Sequence, residues 1–260
     1  MNCPMTTSIM CRNGVVKGLA CGLFWIGVWQ VAALIIGLDL ILPAPLTVLK
    51  AWFVLVGQAG FWKSIGASVL RTLAGFLIGT ASGTALAFAT YRLPFLKTLF
   101  VPLLRTIRTV PITAIILLAF FWFTTDTLAI FIIFLMLLPM VWSEIHTALC
   151  QMDVKLLEVA RVYRLSKTKK LRLIVFPSIK TAFVSACTTA IGFAWKAGIA
   201  TEIQNTPFFS IGKQIQQAKY VLEMPQVFAW TATVVLLSIL FEKAFVLLVG
   251  RRGKKANDRG

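Results

Sequence analysis

Hydrophobic residues along this chain come in long continuous runs separated by short polar stretches. Six runs reach the length of a bilayer-crossing helix, about 20 residues: 18–38, 66–90, 99–123, 127–146, 181–200 and 226–249. The pattern predicts an all-α, polytopic membrane protein with six transmembrane helices. An outer-membrane barrel would alternate apolar and polar positions, and these runs do not. The intervening stretches are too short for a soluble domain of ordinary size. The chain therefore divides into a tail, 1–17, a single transmembrane domain, 18–250, with an inner loop at about 150–178, and a basic tail, 251–260. The first run reads on as a full-length span without a small-residue cleavage site, so no cleavable signal peptide is expected.

Composition supports this reading. Of 260 residues, 58% are hydrophobic and 13% charged, with a mean hydropathy of +0.85, more apolar surface than a soluble domain of this length could hide. The net charge of +17 would suggest nucleic acid in a soluble protein. No basic stripe with interleaved aromatics accompanies it, so no nucleic-acid partner is expected. The charge has a topological reading instead. Seventeen basic residues lie in the two tails and in the loops after the second and fourth runs, against five in the opposite loops and span ends. Cytoplasmic loops accumulate Lys and Arg, so both termini are expected in the cytoplasm, in agreement with an even number of spans. The first outer loop, 39–65, holds Pro43, Pro45 and the amphipathic stretch 46–56, expected either as a helix lying on the membrane surface or as a packed connector.

Gly75, Gly79 and Gly83 recur every four residues in the second run. That spacing returns to nearly the same helix face, giving a strip along which another helix can approach closely. Arg105 and Arg108 lie in or at the edge of the third run, just before Pro111. Charge at membrane depth is costly, so these side chains either snorkel to the interface or line a polar path. Pro111 and Pro139 are expected to bend their helices. Trp195, Lys196 and Glu202 close the fifth run as an interfacial anchor, or as a gate or contact with an external partner. His146 is the only histidine, with no carboxylate cluster around it, so no metal site is expected. Cys3, Cys11, Cys21, Cys150 and Cys187 form no close CxxC pair and read as free thiols. No nucleophile–base pair, P-loop or dinucleotide motif is present. No cofactor is expected, and energy for any driven work must come from elsewhere.

The inner loop is the richest stretch. Leu156, Leu157, Ala160 and Tyr163 recur at helical intervals and offer an apolar face, followed by the basic run 167–173. Such a loop suits docking on another protein, or resting on anionic membrane lipids. It resembles the EAA signature of bacterial ABC importer permeases, in which Glu-Ala-Ala is followed by Gly four residues after the second Ala and later by Ile-x-Leu-Pro. Glu158, Ala160, Ile174 and Pro177 match in register, while Val159 and Phe176 are substitutions. Arg164 stands at the glycine position. Only glycine adopts positive φ freely, so the turn here is expected to depart from the family geometry. Residues 42–45, 68–76, the Arg-Thr-Val-Pro run ending at Pro111, Pro139 and residues 193–196 look like the nitrate, sulfonate and taurine branch of these permeases.

The resemblance implies a type I importer fold in the bacterial plasma (inner) membrane. It implies a homodimer with the solute path between its copies, two ABC ATPase subunits docked on the inner loops, and an external solute-binding protein, periplasmic or lipid-anchored. The permease itself would hydrolyse nothing. Glu158, Val159, Ala160, Arg161, Tyr163, Arg164, Leu165 and Ser166 would form the docking segment, with Ala160 buried at the contact. The alternative, an ion-coupled secondary transporter, would need mid-membrane acids, and nearly all acids here fall at span ends or in loops. A membrane enzyme would need a catalytic constellation, and none is seen.

Overall fold

The computed structural model describes residues 7–257, with side chains from Ala20 to Leu247 except at Val154, Leu157, Arg161 and Lys167. The side chains of the N-terminal tail and of the basic C-terminal tail, with Cys3 and Cys11, lie outside the described residues. Every regular element described is helical: α1 Thr7–Ile36, α2 Pro45–Val56, α3 Ala59–Arg92, α4 Pro94–Thr109, α5 Ile112–Ala119, α6 Thr125–Cys150, α7 Val154–Val162, α8 Lys167–Lys170, α9 Phe176–Asn205, α10 Ile211–Tyr220 and α11 Met224–Asn257. A π-helical turn, Leu171–Val175, joins α8 to α9. Four helices are long and apolar enough to cross a membrane, and a fifth crossing results if α4 and α5 count as one bent span. The apolar part of α1 described, Ala20–Ile36, is shorter than these.

α6 lies at the centre, packed against α3 on one side and α9 on the other. Leu128, Ile132, Ile133, Leu137, Val141 and Ile145 of α6 are fully buried. Two rows of small residues let the neighbours approach. Gly75, Gly79 and Gly83 of α3 lie against Ile133, Leu137 and Val141. On α9, Ala186, Ala190, Ala194 and Gly198 form a second buried row at the same four-residue spacing, with Gly198 against Ile133. Inside lipid, apolar surface gains nothing by leaving the solvent, so close van der Waals contact along such rows carries the packing.

Two elements differ from expectation. The single span over 99–123 is broken: α4 and α5 meet at 103°. Proline forces the residue before it out of the helical region, and Val110 is extended (φ −75°, ψ 132°), so α4 ends at Thr109. The span expected at 181–200 begins much earlier, as one helical rod over Thr168–Asn205. Pro177 lacks an N–H for the carbonyl four residues back. The helix widens just before it, with the Phe176 N–H bonded to the Leu171 carbonyl five residues back. Of the two expectations for 46–56, α2 matches the packed connector. Val48 and Leu55 are buried, and Trp52 Nε1 donates to Thr233 Oγ1 of α11 at 3.0 Å.

Candidate functional site

At the end of the bundle that carries the basic loop, Asp153 starts α7 by accepting the Lys155 N–H at 2.9 Å. Ala160 is only 4% exposed and belongs to the chain's own core. It is therefore not available to bury against a partner, contrary to expectation. The outward face is instead Leu156, Val159, Val162 and Tyr163, 44 to 77% exposed. Spacings of three and four place Leu156, Val159 and Tyr163 on one helical stripe. Glu158, Arg164 and Ser166 are exposed and Leu165 half-buried, while the Arg161 side chain lies outside the described residues.

Two residues past the end of α7, Arg164 has a φ of +45°. The Leu165 N–H bonds to the Ala160 carbonyl at 2.9 Å, five residues back, as in a left-handed helix C-terminus. The turn thus keeps the conformation that glycine favours, against the expectation of a departure. Left-handed backbone costs an ordinary residue about 1 kcal/mol or more, and the Arg164 side chain makes no bond among the described residues that would offset it. Arg164→Gly is therefore expected to raise the thermal midpoint of the purified protein and leave transport intact. A lowered midpoint would mean that the Arg164 side chain holds a contact of its own.

The second candidate region is the α4–α5 break. Leu104 of α4 is buried, whereas Arg105, Thr106, Arg108, Thr109, Pro111 and Thr113 are exposed in the single subunit. Arg108 Nη2 donates to the Pro139 carbonyl of α6. Pro139 lies fourteen residues from the N-terminal end of α6 and eleven from its C-terminal end, about 21 and 17 Å at 1.5 Å per residue. Arg108 is therefore tied to the middle stretch of α6. Arg105 sits one turn earlier and makes no hydrogen bond or ion pair among the described residues.

A third cluster lies at the opposite end of the bundle from α7. Glu202, 2% exposed, accepts from Ser68 Oγ at 2.7 Å, from Arg71 Nη1 at 3.3 Å and from the Gly212 N–H at 3.3 Å. Arg71 also reaches Asp126 Oδ1 at 2.7 Å and the Phe209 carbonyl at 2.8 Å. This knot ties α3, α6, α9 and the start of α10 together. A Cβ on Gly212 would lie 2.4 Å from Glu202 Cβ, so glycine is required for that approach. Glu202 is thus a structural tie, and neither it nor Trp195 is an interfacial anchor. Trp195 is 2% exposed and packs on Phe241 of α11. Lys196 is exposed, over the Phe193 ring. His146 is buried between Thr90 and Trp142. Arg71, Ser68, Asp126 and Gly212 escaped sequence reasoning. An arginine in an apolar run demands a partner, and the acids nearest the outer span ends, Asp126 and Glu202, were the signal available.

Residues 75–254 match the family described as "Binding-protein-dependent transport system inner membrane component". A putative aliphatic sulfonates transport permease protein of Bacillus subtilis is 26% identical, covering 84% of this chain and 79% of that protein. The nitrate import permease protein of Synechococcus elongatus is 27% identical, over 71% of this chain and 70% of the relative. The bicarbonate transport system permease protein of the same species is 29% identical over 58% and 55%. Among solved structures, a chain of an inward-facing MetNI methionine ABC transporter shares the fold, with a TM-score of 0.58 at 17% identity over 74% of this chain and 94% of that one.

Proposed function

Because the chain belongs to the family of binding-protein-dependent transport system inner membrane components, we propose that its inner loop takes the thrust of ATPase subunits and that the α4–α5 break lines its solute path. The chain is a multi-pass permease subunit of an ABC importer. Permeases of this family are not catalytic. ATP is hydrolysed by a separate subunit, and an external solute-binding protein is a further partner. Nothing in the structure favours an ion-coupled transporter.

The observation that carries the coupling reading is the exposed stripe of α7, which a soluble partner would cover. Two ATPase subunits dock on the stripes of two permease copies, and the path runs between the copies. ATP binding closes the ATPases and moves α7, shifting the permease from its inward-open to its outward-open state. The Thr168–Asn205 rod, about 57 Å long, transmits that motion to the knot at Glu202. Residues 150–178 thus form the coupling loop of the permease domain, in the bacterial inner membrane with both termini cytoplasmic. The relatives are permeases for sulfonates, nitrate and bicarbonate, each an oxyanion near neutral pH. A small oxyanion is accordingly the cargo.

A tagged copy drawn from its native membrane is expected to bring down an equimolar P-loop ATPase. Recovery without any ATPase would sink the coupling reading. Orientation is tested separately: Thr168→Cys should be labelled only from the cytoplasmic side, and Lys213→Cys from outside. The reverse pattern would invert the topology.

A further inference from the structure

We propose that Arg105 and Arg108 form a waypoint for a small oxyanion at the α4–α5 break, halfway across the membrane. The inference rests on the pathway and cargo readings above and adds the residues that meet the ion and their depth.

The guanidinium of Arg108 cannot escape to either interface, because it is bonded to the Pro139 carbonyl near the middle of the 26-residue α6. That bond occupies one of its five N–H donors. Arg105 lies three residues earlier, close enough on the helix surface for both to reach one ligand, and all its donors are free among the described residues. The ion pairs among those residues belong to Arg71, at the outer knot. The site therefore holds two fixed positive charges and a surplus of donors, with no carboxylate to balance them. Neighbouring hydroxyls do not supply acceptors in need of donors. Thr106 and Thr109 already donate to the Pro102 and Thr106 carbonyls of their own helix.

Such a face cannot meet hydrocarbon. It must meet water or a second copy, and a second copy would bring the same two arginines, which deepens the positive potential. A planar guanidinium binds a carboxylate, sulfonate or nitrate through paired N–H···O bonds. A cationic ligand would be repelled. The break leaves non-helical backbone at Val110 and Pro111, and within a membrane such backbone is tolerated only where it is buried in protein or lines a wet cavity. A waypoint must also let go. Arg108 is shared with a carbonyl and the site has no counter-charge to close over the ligand, which favours brief residence.

The test reads charge selectivity at the site and needs no knowledge of the solute. In the assembled importer, with all five native cysteines replaced by serine, Thr109→Cys is reacted with a methanethiosulfonate bearing either a sulfonate or a trimethylammonium group. The anionic reagent should react faster, and Arg105→Gln or Arg108→Gln should each lower the anionic-to-cationic rate ratio by roughly tenfold. Nitrate or methanesulfonate should slow labelling of Thr109→Cys in the parent but not in either glutamine variant. Arg105→Gln removes no bond within the chain and carries the test if Arg108→Gln does not assemble. If Thr109→Cys reacts with neither reagent, the pathway reading fails and the waypoint with it. If it reacts with both and the ratio ignores the arginines, the waypoint alone is overturned.

Discussion

Gly79→Leu should prevent the subunit from accumulating as a folded membrane protein. A Cβ at position 79 would stand 2.9 Å from Leu137 Cβ and 3.3 Å from the Phe134 Cα and carbonyl oxygen. Two of these are backbone atoms, which cannot rotate away. An ordinary overpacked core costs about 1–3 kcal/mol. Here the whole leucine must enter the line where α3 meets α6, and the expected cost exceeds that range. α6 also contacts α9 through Ile133, the residue that Gly75 and Gly198 both approach. Forcing α3 off α6 therefore disturbs both sides of the central helix. Gly66→Leu and Gly192→Leu are the controls, since a Cβ at either meets nothing within 4 Å. Size-exclusion profiles of detergent-solubilised protein decide the matter. A monodisperse Gly79→Leu variant at wild-type yield would show that α3 and α6 can part without loss.

The α7 stripe carries the second large effect. Val159→Asp combined with Tyr163→Asp is expected to abolish transport and ATPase recovery while leaving the permease folded. Both side chains are exposed in the single subunit, at 49 and 73%, so the free subunit loses little. In the docked state each aspartate would be a buried charge without a partner. At about 1.4 kcal/mol per decade, a penalty near 2 kcal/mol at each position weakens docking by at least about a hundredfold. Ala160 is the wrong position for this experiment. Its burial within the subunit means that a bulky residue there would damage the loop itself, and lost transport would say nothing of docking. If the double aspartate variant retains the ATPase through purification and transports normally, the stripe is not the coupling surface.

The family resemblance was legible because it rests on order and spacing along the chain. Glu158, Ala160, Ile174 and Pro177 keep their register whatever the helices do. The orientation of Ala160 was not legible. An amphipathic pattern shows that a helix has an apolar face, but α7 has apolar residues on two sides, and only packing decides which side the core takes. Arg164 shows the same limit in the backbone. Side-chain identity argues against positive φ, yet the turn between α7 and α8 imposes it.

What the sequence determined by itself was the helical membrane class, the small-residue strip on α3 and the gathering of basic residues in particular loops. Each follows from a local property, since hydrophobic length, four-residue spacing and loop charge can all be counted along the chain. Tertiary structure alone decided which groups meet. The Arg71 partners lie 55 and 131 residues away, and the Arg108 acceptor is a backbone carbonyl 31 residues on. A carbonyl leaves no mark in a sequence, because every residue has one. It becomes distinctive only when a second helix brings a guanidinium to it at a depth where water is scarce. The bend at Pro111 was foreseeable from proline chemistry. Its 103° angle was set by the way α4 and α5 pack on α3, α6 and α9.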